Sequence, residues 1–513
     1  MSDIPVINPA TGAQLYAMKP ATDLECEAAM GAARSAAEAL RATPLTARLE
    51  ALTAFLDYLR DHREALLDQI VAESGRSRGD AMLSDIFQLT EDCLWLRDHA
   101  AAVLADEKVA TPISLLGKHC RIRRDAHGVV LVISPWNLPL AIGMTAAMFA
   151  FVAGNAVILK PSEHTPMVAV FEAIRQRHPL LYLGLQVVHG GGDVGARLVQ
   201  ARPDLVVFTG SQPTGRRILA SAAPLLIPVL LELGAKDPML VFDDADLPRA
   251  VAAACWGNLH NSGQSCTAVE QLHVQEGIFE TFVAALVAAS GEIRLGTGAA
   301  HDLGAITTAF QMTHIDALVQ DAVAQGAVLH CGGRRSECGH FYLPTVLTGV
   351  TSAMRISQEE IFGPVVAVYS FASEAEIIAR HNSNPSGLST SVWSRDKARC
   401  RRLEQALSTG CININNVMLT EGNAGLPFGG VRQSGFGRMK GAEGLRGMTR
   451  SKAVLEDPTR GKPEPNWYPY SAEKLALTGE LLDLLGQKGL RRWWRLARVG
   501  LAIDRLVKRQ HRA

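Results

Sequence analysis

Hydrophobic and polar positions change their period along the chain. Between residues 24 and 105, alanine and leucine recur at helical spacing. Leu49, Leu52, Phe55, Leu56 and Leu59 form one apolar stripe, and Leu66, Leu67, Ile70 and Val71 form another. Such stripes predict helices that flank a larger α/β domain. Residues 118–127, KHCRIRRDAH, are polar with mixed charge and predict an extended ribbon outside the core. From Val129 to Ser134 the chain is continuously apolar up to its last residue, as a strand buried on both faces requires. It runs into Pro135-Trp136-Asn137. A helix is predicted from about Leu140 to Val152 and is stopped by Gly154-Asn155. A strand at Ala156–Leu159, a helix over Thr165–Arg177 and a strand at Leu185–Val188 follow, the last leading into Gly190-Gly191-Gly192-Asp193. Leu205–Phe208 is a further strand, and Thr209-Gly210-Ser211 opens the next helix. Strand and helix alternating at this spacing predict a doubly wound parallel sheet, which binds ligands beyond the carboxyl ends of its strands.

Residues 236–440 repeat the alternation. Pro238–Phe242, Gln271–Val274, Val365–Ser370 and Cys411–Asn415 read as strands, and Ile278–Ile293 and His314–Gln325 as helices. The predicted fold class is therefore α/β with two doubly wound domains. Pro458–Pro469 is proline-rich and linker-like, and a distinct tail follows it.

Composition narrows the function class. The chain has 513 residues, 48% hydrophobic and 20% charged, which is ordinary for a globular protein of two or three domains. Lysine plus arginine equals aspartate plus glutamate at 51 each, so the body as a whole has no attraction for nucleic acid. Nine cysteines show no CxxC pair and no zinc-like spacing, so no metal site is expected and a reducing compartment is. The first residues, MSDIPVINPATG, have neither a basic nor an apolar leader region, and no apolar stretch reaches the roughly 20 residues of a membrane span. A cytoplasmic location is expected.

The candidate chemistry centres on Cys266, in Trp256-Gly257-Asn258-Leu259-His260-Asn261-Ser262-Gly263-Gln264-Ser265-Cys266-Thr267. Glycine and small polar neighbours leave a thiolate sterically free to attack a carbonyl. A lone cysteine also serves as an inert, small core residue. Glu232 stands in an apolar run that starts near Ile227. Burial there would raise its pKa and make it a base near neutral pH, whereas a surface strand end would leave it ordinary. Asn137 offers a carboxamide donor for an oxyanion or an asparagine turn. No GxGxxG follows the first strand. In its place Lys160-Pro161-Ser162-Glu163 puts a carboxylate at a strand exit, where ribose hydroxyls could donate to it. Phe208-Thr209-Gly210-Ser211 puts a small loop at a helix N-terminus, where a pyrophosphate would meet backbone amides.

The ordered series PWN at 135–137, KPSE at 160–163, FTGS at 208–211, ELGAK at 232–236, GQSC at 263–266, EEIFGP at 359–364 and PFGGVRQSGFGR at 427–438 resembles the NAD(P)-dependent aldehyde dehydrogenase superfamily. The likeness runs from about residue 7 to about residue 455. It implies a Rossmann-like cofactor domain of residues 1–107 and 128–235 and a catalytic domain of residues 236–440. Residues 108–127 and 441–457 would be an oligomerisation ribbon pairing subunits into a homodimer or a dimer of dimers. Residues 458–513 would be a linker and a basic C-terminal helix.

The resemblance also implies roles. Cys266 would be the nucleophile, Glu232 the general base, and Asn137 an oxyanion donor together with the Cys266 amide. Lys160 and Glu163 would hold the adenosine ribose with Ser162 nearby, and Gly210 and Ser211 would meet the pyrophosphate. Ser134, Pro135, Leu233 and Gly234 would line the cofactor path. Glu360 would meet the nicotinamide ribose, Phe362 would pack beside the nicotinamide ring, and Trp136 would lie near the adenine side or the pyrophosphate path. An aldehyde would be oxidised through a thiohemiacetal and a thioester on Cys266. Glu232 favours water over coenzyme A as acyl acceptor. Glu163 favours NAD, with Lys160 and Ser162 leaving NADP open.

Two departures stand out. Many relatives carry a lysine in the helix after PWN, whereas Leu138–Ala153 has no charged residue here. Ile142, Met144, Thr145 and Met148 on that helix would line an apolar substrate entrance or simply fill the core. The tail is the second departure. Its first part, from Trp467-Tyr468-Pro469-Tyr470, resembles the C-terminal region of fatty- and aromatic-aldehyde members and of membrane-associated forms. Residues 487–513 carry nine lysines and arginines against one acid, Asp504. Arg491, Arg495, Arg498, Arg505, Arg509 and Arg512 form one stripe. Trp493, Leu496, Ala497, Val499, Ile503, Leu506 and Val507 lie on other faces, with Trp494 adding interfacial aromatic character. An anionic membrane surface is one candidate partner, and a neighbouring subunit's substrate entrance is the other. The expected substrate is a medium- or long-chain aliphatic or aromatic aldehyde. A semialdehyde such as succinic semialdehyde, or a non-catalytic membrane scaffold, are the alternatives.

Overall fold

The computed structural model describes residues 2–115, 117–458 and 463–511. Met1–Ala105 with Arg124–Ser451 form one compact unit, and Asp106–Arg123 with Lys452–Ala513 form a second.

The first unit contains two parallel sheets. The six-stranded sheet has the order Gly435–Phe436, Val229–Leu233, Leu205–Gly210, Val129–Ile133, Ala156–Lys160, Leu185–Val187. Only the two-residue edge strand is antiparallel. From Val129–Ile133 the chain winds first to one side and then returns to the other. The switch point therefore lies between Val129–Ile133 and Leu205–Gly210, where a crevice opens beyond the strand ends. The seven-stranded sheet has the order Val328–Cys331, Thr345–Thr348, Val365–Phe371, Val269–Gln275, Asp237–Val241, Ser389–Trp393, Cys411–Ile414, antiparallel only at its first pair. The chain passes from one sheet to the other between Leu233 and Asp237. The helices Asp23–Ala42, Leu45–Asp61 and Arg63–Ser74 contribute their apolar stripes to the core of the first sheet.

Several elements differ from the sequence expectation. The helix expected over Thr165–Arg177 spans only Val168–Arg175, because Met167 takes a left-handed φ of 47° that no α-helix can include. Helices Gly192–Gln200 and Leu247–Leu259 and strands Thr345–Thr348 and Ser389–Trp393 were not expected. Residues 441–457 are not ribbon throughout. Gly441–Gly447 is a short helix whose Leu445 joins the first core, and the ribbon strand is Thr449–Glu456. Ala81–Phe87 is a π-helix between two α-helical segments.

The ribbon is a three-stranded sheet, Thr449–Glu456, His119–Ala126, Glu107–Val109. Lys118 pairs with Asp457 and Glu464 at 2.6 Å each. The tail is a hairpin of helices Ala472–Leu485 and Leu490–Gln510. Leu496, Val499, Ile503 and Val507 are buried against Leu484, Leu477 and Leu481 of the preceding helix. Leu490, Trp494 and Leu501 lie on the opposite side of the last helix and are exposed, and the exposed Trp493 flanks the buried stripe. Arg512 of the basic stripe and residues 459–462 of the linker fall outside the described residues. Among the described residues no helix is long and apolar enough to cross a membrane.

Candidate active site

All the residues singled out as catalytic or cofactor-binding line one cleft of about 1750 Å³: Ser134, Pro135, Trp136, Asn137, Lys160, Ser162, Glu163, Gly210, Ser211, Glu232, Leu233, Gly234, Cys266, Glu360 and Phe362. The cleft lies over the switch point of the six-stranded sheet and reaches the loop that carries Cys266.

That loop is built by local backbone strain and fixed by side-chain amides. Helix Leu247–Leu259 runs into a tight turn in which Asn261 and Ser262 both adopt left-handed φ, 51° and 56°. Asn261 Nδ2 donates to Asn137 O at 3.1 Å and to Gln264 O at 2.8 Å, and its backbone N–H donates to Asp80 at 3.1 Å. Ser262 Oγ donates to Gly304 O, and the Gln264 side chain donates to Ala305 O and accepts from the Thr307 N–H. Gly263, at φ 69°, packs so tightly that an added Cβ would lie 2.1 Å from Gly363 O, which joins the loop to the EEIFGP turn. From Asn261 to Glu270, Cys266 alone is not fully buried.

Asn137 Nδ2 donates to Gln264 O at 3.0 Å. This spends one of its two amide protons and leaves the other for a further acceptor. Glu232 lies near the end of Val229–Leu233, opposite Thr209 on one side and Gly435 on the other. It is 5% exposed, so it is not a surface residue, and neither of its carboxylate oxygens is hydrogen-bonded among the described residues. Burial pushes its pKa well above the usual carboxylate range, with Arg438 and the Gly430 backbone pulling the other way. Gly429 makes room for it: a Cβ there would lie 2.7 Å from Glu232 Oε1. Burial also pushes the Cys266 thiol well up, and Glu421, Asp237, Glu232 and Glu360 add to the rise in that order.

The cofactor side combines several polar groups. Lys160 Nζ and Glu163 Oε2 are 3.3 Å apart, and the Ser162 hydroxyl accepts from the His164 N–H at 3.2 Å. The lysine holds the Glu163 carboxyl below its ordinary range although burial opposes this. Ser211 precedes helix Gln212–Ala222 without a side-chain cap, so the first amides of that helix remain for a ligand. Leu233 N donates to Ser434 O at 3.1 Å, and Gly234 O accepts from Gln212 Nε2 at 3.1 Å. Glu360 accepts from Ala235 N at 3.1 Å, and a Cβ on Gly234 would fall 2.0 Å from its other oxygen. Burial, with Glu270 beside it, pushes Glu360 up to about 8. Trp136, expected toward the adenine side or the pyrophosphate path, packs edge-on against Phe362 at 5.3 Å and Phe310 at 6.4 Å. A crevice at the switch point, an uncapped helix N-terminus and carboxylates at two strand exits fit a dinucleotide.

Sequence reasoning gave no role to several residues that hold this arrangement. Glu270 is buried, pairs with Lys236 at 2.8 Å and accepts the N–H groups of Ile361 and Phe362, while Gln311 Nε2 donates to the carbonyls of the same two residues. Lys236 stood within the quoted ELGAK motif, but nothing in the sequence marked Glu270 or Gln311. Glu421 accepts from Thr267 Oγ1 at 3.0 Å. The uncharged helix Ala141–Val152 meets a cation from elsewhere: its Thr145 donates to Asp92, which faces Lys440 Nζ at 3.3 Å.

Comparison with known proteins agrees with this geometry. The model of the aldehyde dehydrogenase family matches residues 1–454. The 4,4'-diapolycopene aldehyde oxidase of Methylomonas sp is 40% identical over 92% of this chain and 89% of its own. The betaine aldehyde dehydrogenase of Cereibacter sphaeroides is 37% identical over 88% and 93%. Among solved structures, a betaine aldehyde dehydrogenase variant from Staphylococcus aureus in complex with NAD+ superposes with a TM-score of 0.85 at 31% identity, covering 91% of this chain and 95% of that one. An NAD+ complex of aldehyde dehydrogenase from Bacillus cereus gives 0.84 at 31% identity, covering 89% and 94%. The chain belongs to the aldehyde dehydrogenase family.

Proposed function

We propose that this aldehyde dehydrogenase oxidises medium- or long-chain apolar aldehydes to carboxylic acids with NAD, using Cys266 as nucleophile. The observation that carries the substrate class is a group of exposed apolar side chains beside the nucleophile loop. Leu83, Phe87, Trp256, Leu419 and Leu426 are each at least 40% exposed. Their neighbours join them to the loop: Ser84 bonds His260 at 2.7 Å, Trp256 packs on His260 at 4.9 Å, and Glu421 bonds Thr267. The relative named for a diapolycopene aldehyde agrees with a hydrocarbon substrate. The ionised Glu163 would repel a 2′-phosphate and supports NAD over NADP.

In this reading the Cys266 thiolate adds to the aldehyde carbon. The oxyanion receives N–H donors from the free amide proton of Asn137 and from the Cys266 backbone. Bound nicotinamide supplies the acceptor for the hydride that leaves this carbon. Cys266 then carries the acyl group as a thioester. Glu232 takes a proton from water, the water oxygen attacks the thioester carbon, and the C–S bond breaks to release the acid and the thiolate. Glu360, held by the Ala235 amide, would orient the ribose beside this carbon.

NADH formation measured on a series of straight-chain aldehydes, with succinic semialdehyde and betaine aldehyde alongside, tests the reading. Each added methylene buried in an apolar entrance contributes up to about 0.8 kcal/mol, or roughly fourfold in kcat/KM. A flat series, or preference for either charged aldehyde, would refute the apolar assignment.

We further propose that the tail contacts an anionic bilayer surface. Nine basic residues against one acid in residues 487–513, and exposed Leu490, Trp493, Trp494 and Leu501, support it. The exposed edge of Thr449–Glu456 supports a homodimer or dimer of dimers, which light scattering would report as two or four times the 55.1 kDa chain.

A further inference from the structure

One half-buried carboxylate beside the nucleophile has no part in the chemistry above. Glu421 lies in the short helix Leu419–Gly422, and its Oε2 accepts from the hydroxyl of Thr267, the residue after Cys266, at 3.0 Å. Behind it stands a chain of polar contacts. Lys440 Nζ donates to the Glu421 backbone carbonyl at 2.8 Å and faces Asp92 at 3.3 Å. Asp92 accepts from Thr145 at 2.8 Å and from Gln88 at 3.0 Å. Four carboxylates act on Cys266: Glu421 most, then Asp237, Glu232 and Glu360. The others have evident work. Asp237 accepts the Ser389 amide, Glu232 faces the cleft, and Glu360 holds the Ala235 amide.

We propose that Glu421 is a positioning residue for the nucleophile: fixed by Thr267, its carboxylate keeps the resting Cys266 a thiol, and Lys440, itself paired with Asp92, ties down the Glu421 backbone. The physical ground is that a nearby negative charge disfavours forming a second one, and more so where water is excluded. The groups facing Glu421 are Lys440 and His260, which favour its charged form, and Asp92, which opposes it, while burial raises its pKa. A resting thiol reacts more slowly with stray electrophiles and oxidants than a thiolate does. Substrate reactivity then depends on the groups that assemble around the sulfur during turnover.

This inference rests on Cys266 being the nucleophile, but its test does not require turnover. The full-length protein, without aldehyde, is treated with iodoacetamide from about pH 6 to 10, and alkylation of the Cys266 peptide is followed by mass spectrometry. Glu421→Gln should move the alkylation midpoint down by about one pH unit, which is about tenfold faster labelling below both midpoints. Glu421→Asp, which keeps the charge, should retain the parent profile. If Glu421→Gln does not fold, the Glu421→Gln/Lys440→Met pair removes both charges together, and its midpoint should move the same way. An unchanged midpoint overturns the proposal, and so does an upward one, which would make Glu421 a proton acceptor for the thiol. Alkylation of Cys266 that left aldehyde oxidation intact would instead sink the nucleophile reading.

Discussion

Glu232 stands where burial and reactivity oppose each other. In the proposed reaction its carboxylate must be ionised to take a proton from water, yet its surroundings favour the neutral acid. The sign of the pH dependence follows. With the pKa raised, the ionised fraction at a given pH is smaller than that of an ordinary carboxylate and grows as pH rises. Thioester hydrolysis should therefore climb about tenfold per pH unit until the raised value is passed. Glu232→Gln should leave a single burst of NADH with little turnover after it; stopped-flow absorbance separates the two, and undiminished turnover would remove Glu232 from this role. Asn137→Ala should lower kcat by about 100- to 1,000-fold, with an unchanged rate arguing against oxyanion contact. Glu163→Gln should narrow the preference for NAD over NADP, measured as a ratio of kcat/KM. That Cys266, Glu232 and Asn137 belong to one candidate site was legible in sequence because each residue type is chemically pointed and each lies in a short, ordered motif; the structure gathers all three in one cleft. Glu270 and Glu421 were not. Each is a single acid whose partners, Ile361 and Phe362 in one case and Thr267 in the other, are 91 to 154 residues away.

The π-helix Ala81–Phe87 and the helix after PWN illustrate coupling between elements. Asp85 accepts the Leu140 and Ala141 amides at 3.1 and 2.8 Å, so it caps helix Ala141–Val152 from another part of the chain. Its other oxygen meets Arg76, and both side chains are wholly buried. Asp85→Ala would leave an unpaired guanidinium in the core and two amides uncapped, at a cost of about 3–5 kcal/mol. A lowered thermal midpoint should accompany a lower kcat, since Asn137 lies just ahead of the capped helix. Asp85→Ala/Arg76→Met should recover much of the stability, because no charge is then left unpaired; no recovery would mean that the capping bonds dominate. Elements with simple apolar runs, such as Val129–Ile133 and Ala156–Lys160, were read with their bounds nearly right. Ser389–Trp393 was missed because its polar residues mimic a loop. Ser389, Thr390 and Ser391 are nevertheless buried, and Asp237, His381 and Asn413 bond to the first two residues of the strand. Partners of that kind come from distant sequence, so no local pattern announces them.

At the scale of the whole molecule, the tail decides how the proposed bilayer contact must behave. Sequence periodicity read Leu490–Gln510 as amphipathic but not which apolar side is spent within the hairpin. Leu496, Val499, Ile503 and Val507 are already covered, so they cannot enter lipid without opening the hairpin. Glu480 and Glu473 tie the two helices together through Arg498 at 3.2 Å and Arg509 at 2.6 Å. What remains is a narrow stripe, with Trp494 84% and Leu490 88% exposed, beside basic residues worth about 1 kcal/mol each near an anionic surface. Charge should therefore supply most of the affinity and the stripe the rest. The full chain should sediment with phosphatidylserine-containing vesicles at low salt, detach as salt shortens the screening length, and ignore purely zwitterionic vesicles. Leu490→Ser/Trp494→Ser should weaken binding without altering the salt slope, because it removes no charge and disturbs no buried contact. Binding that survives high salt would mean that the hairpin opens and inserts its inner face, and no binding at low salt would return the basic stripe to solvent.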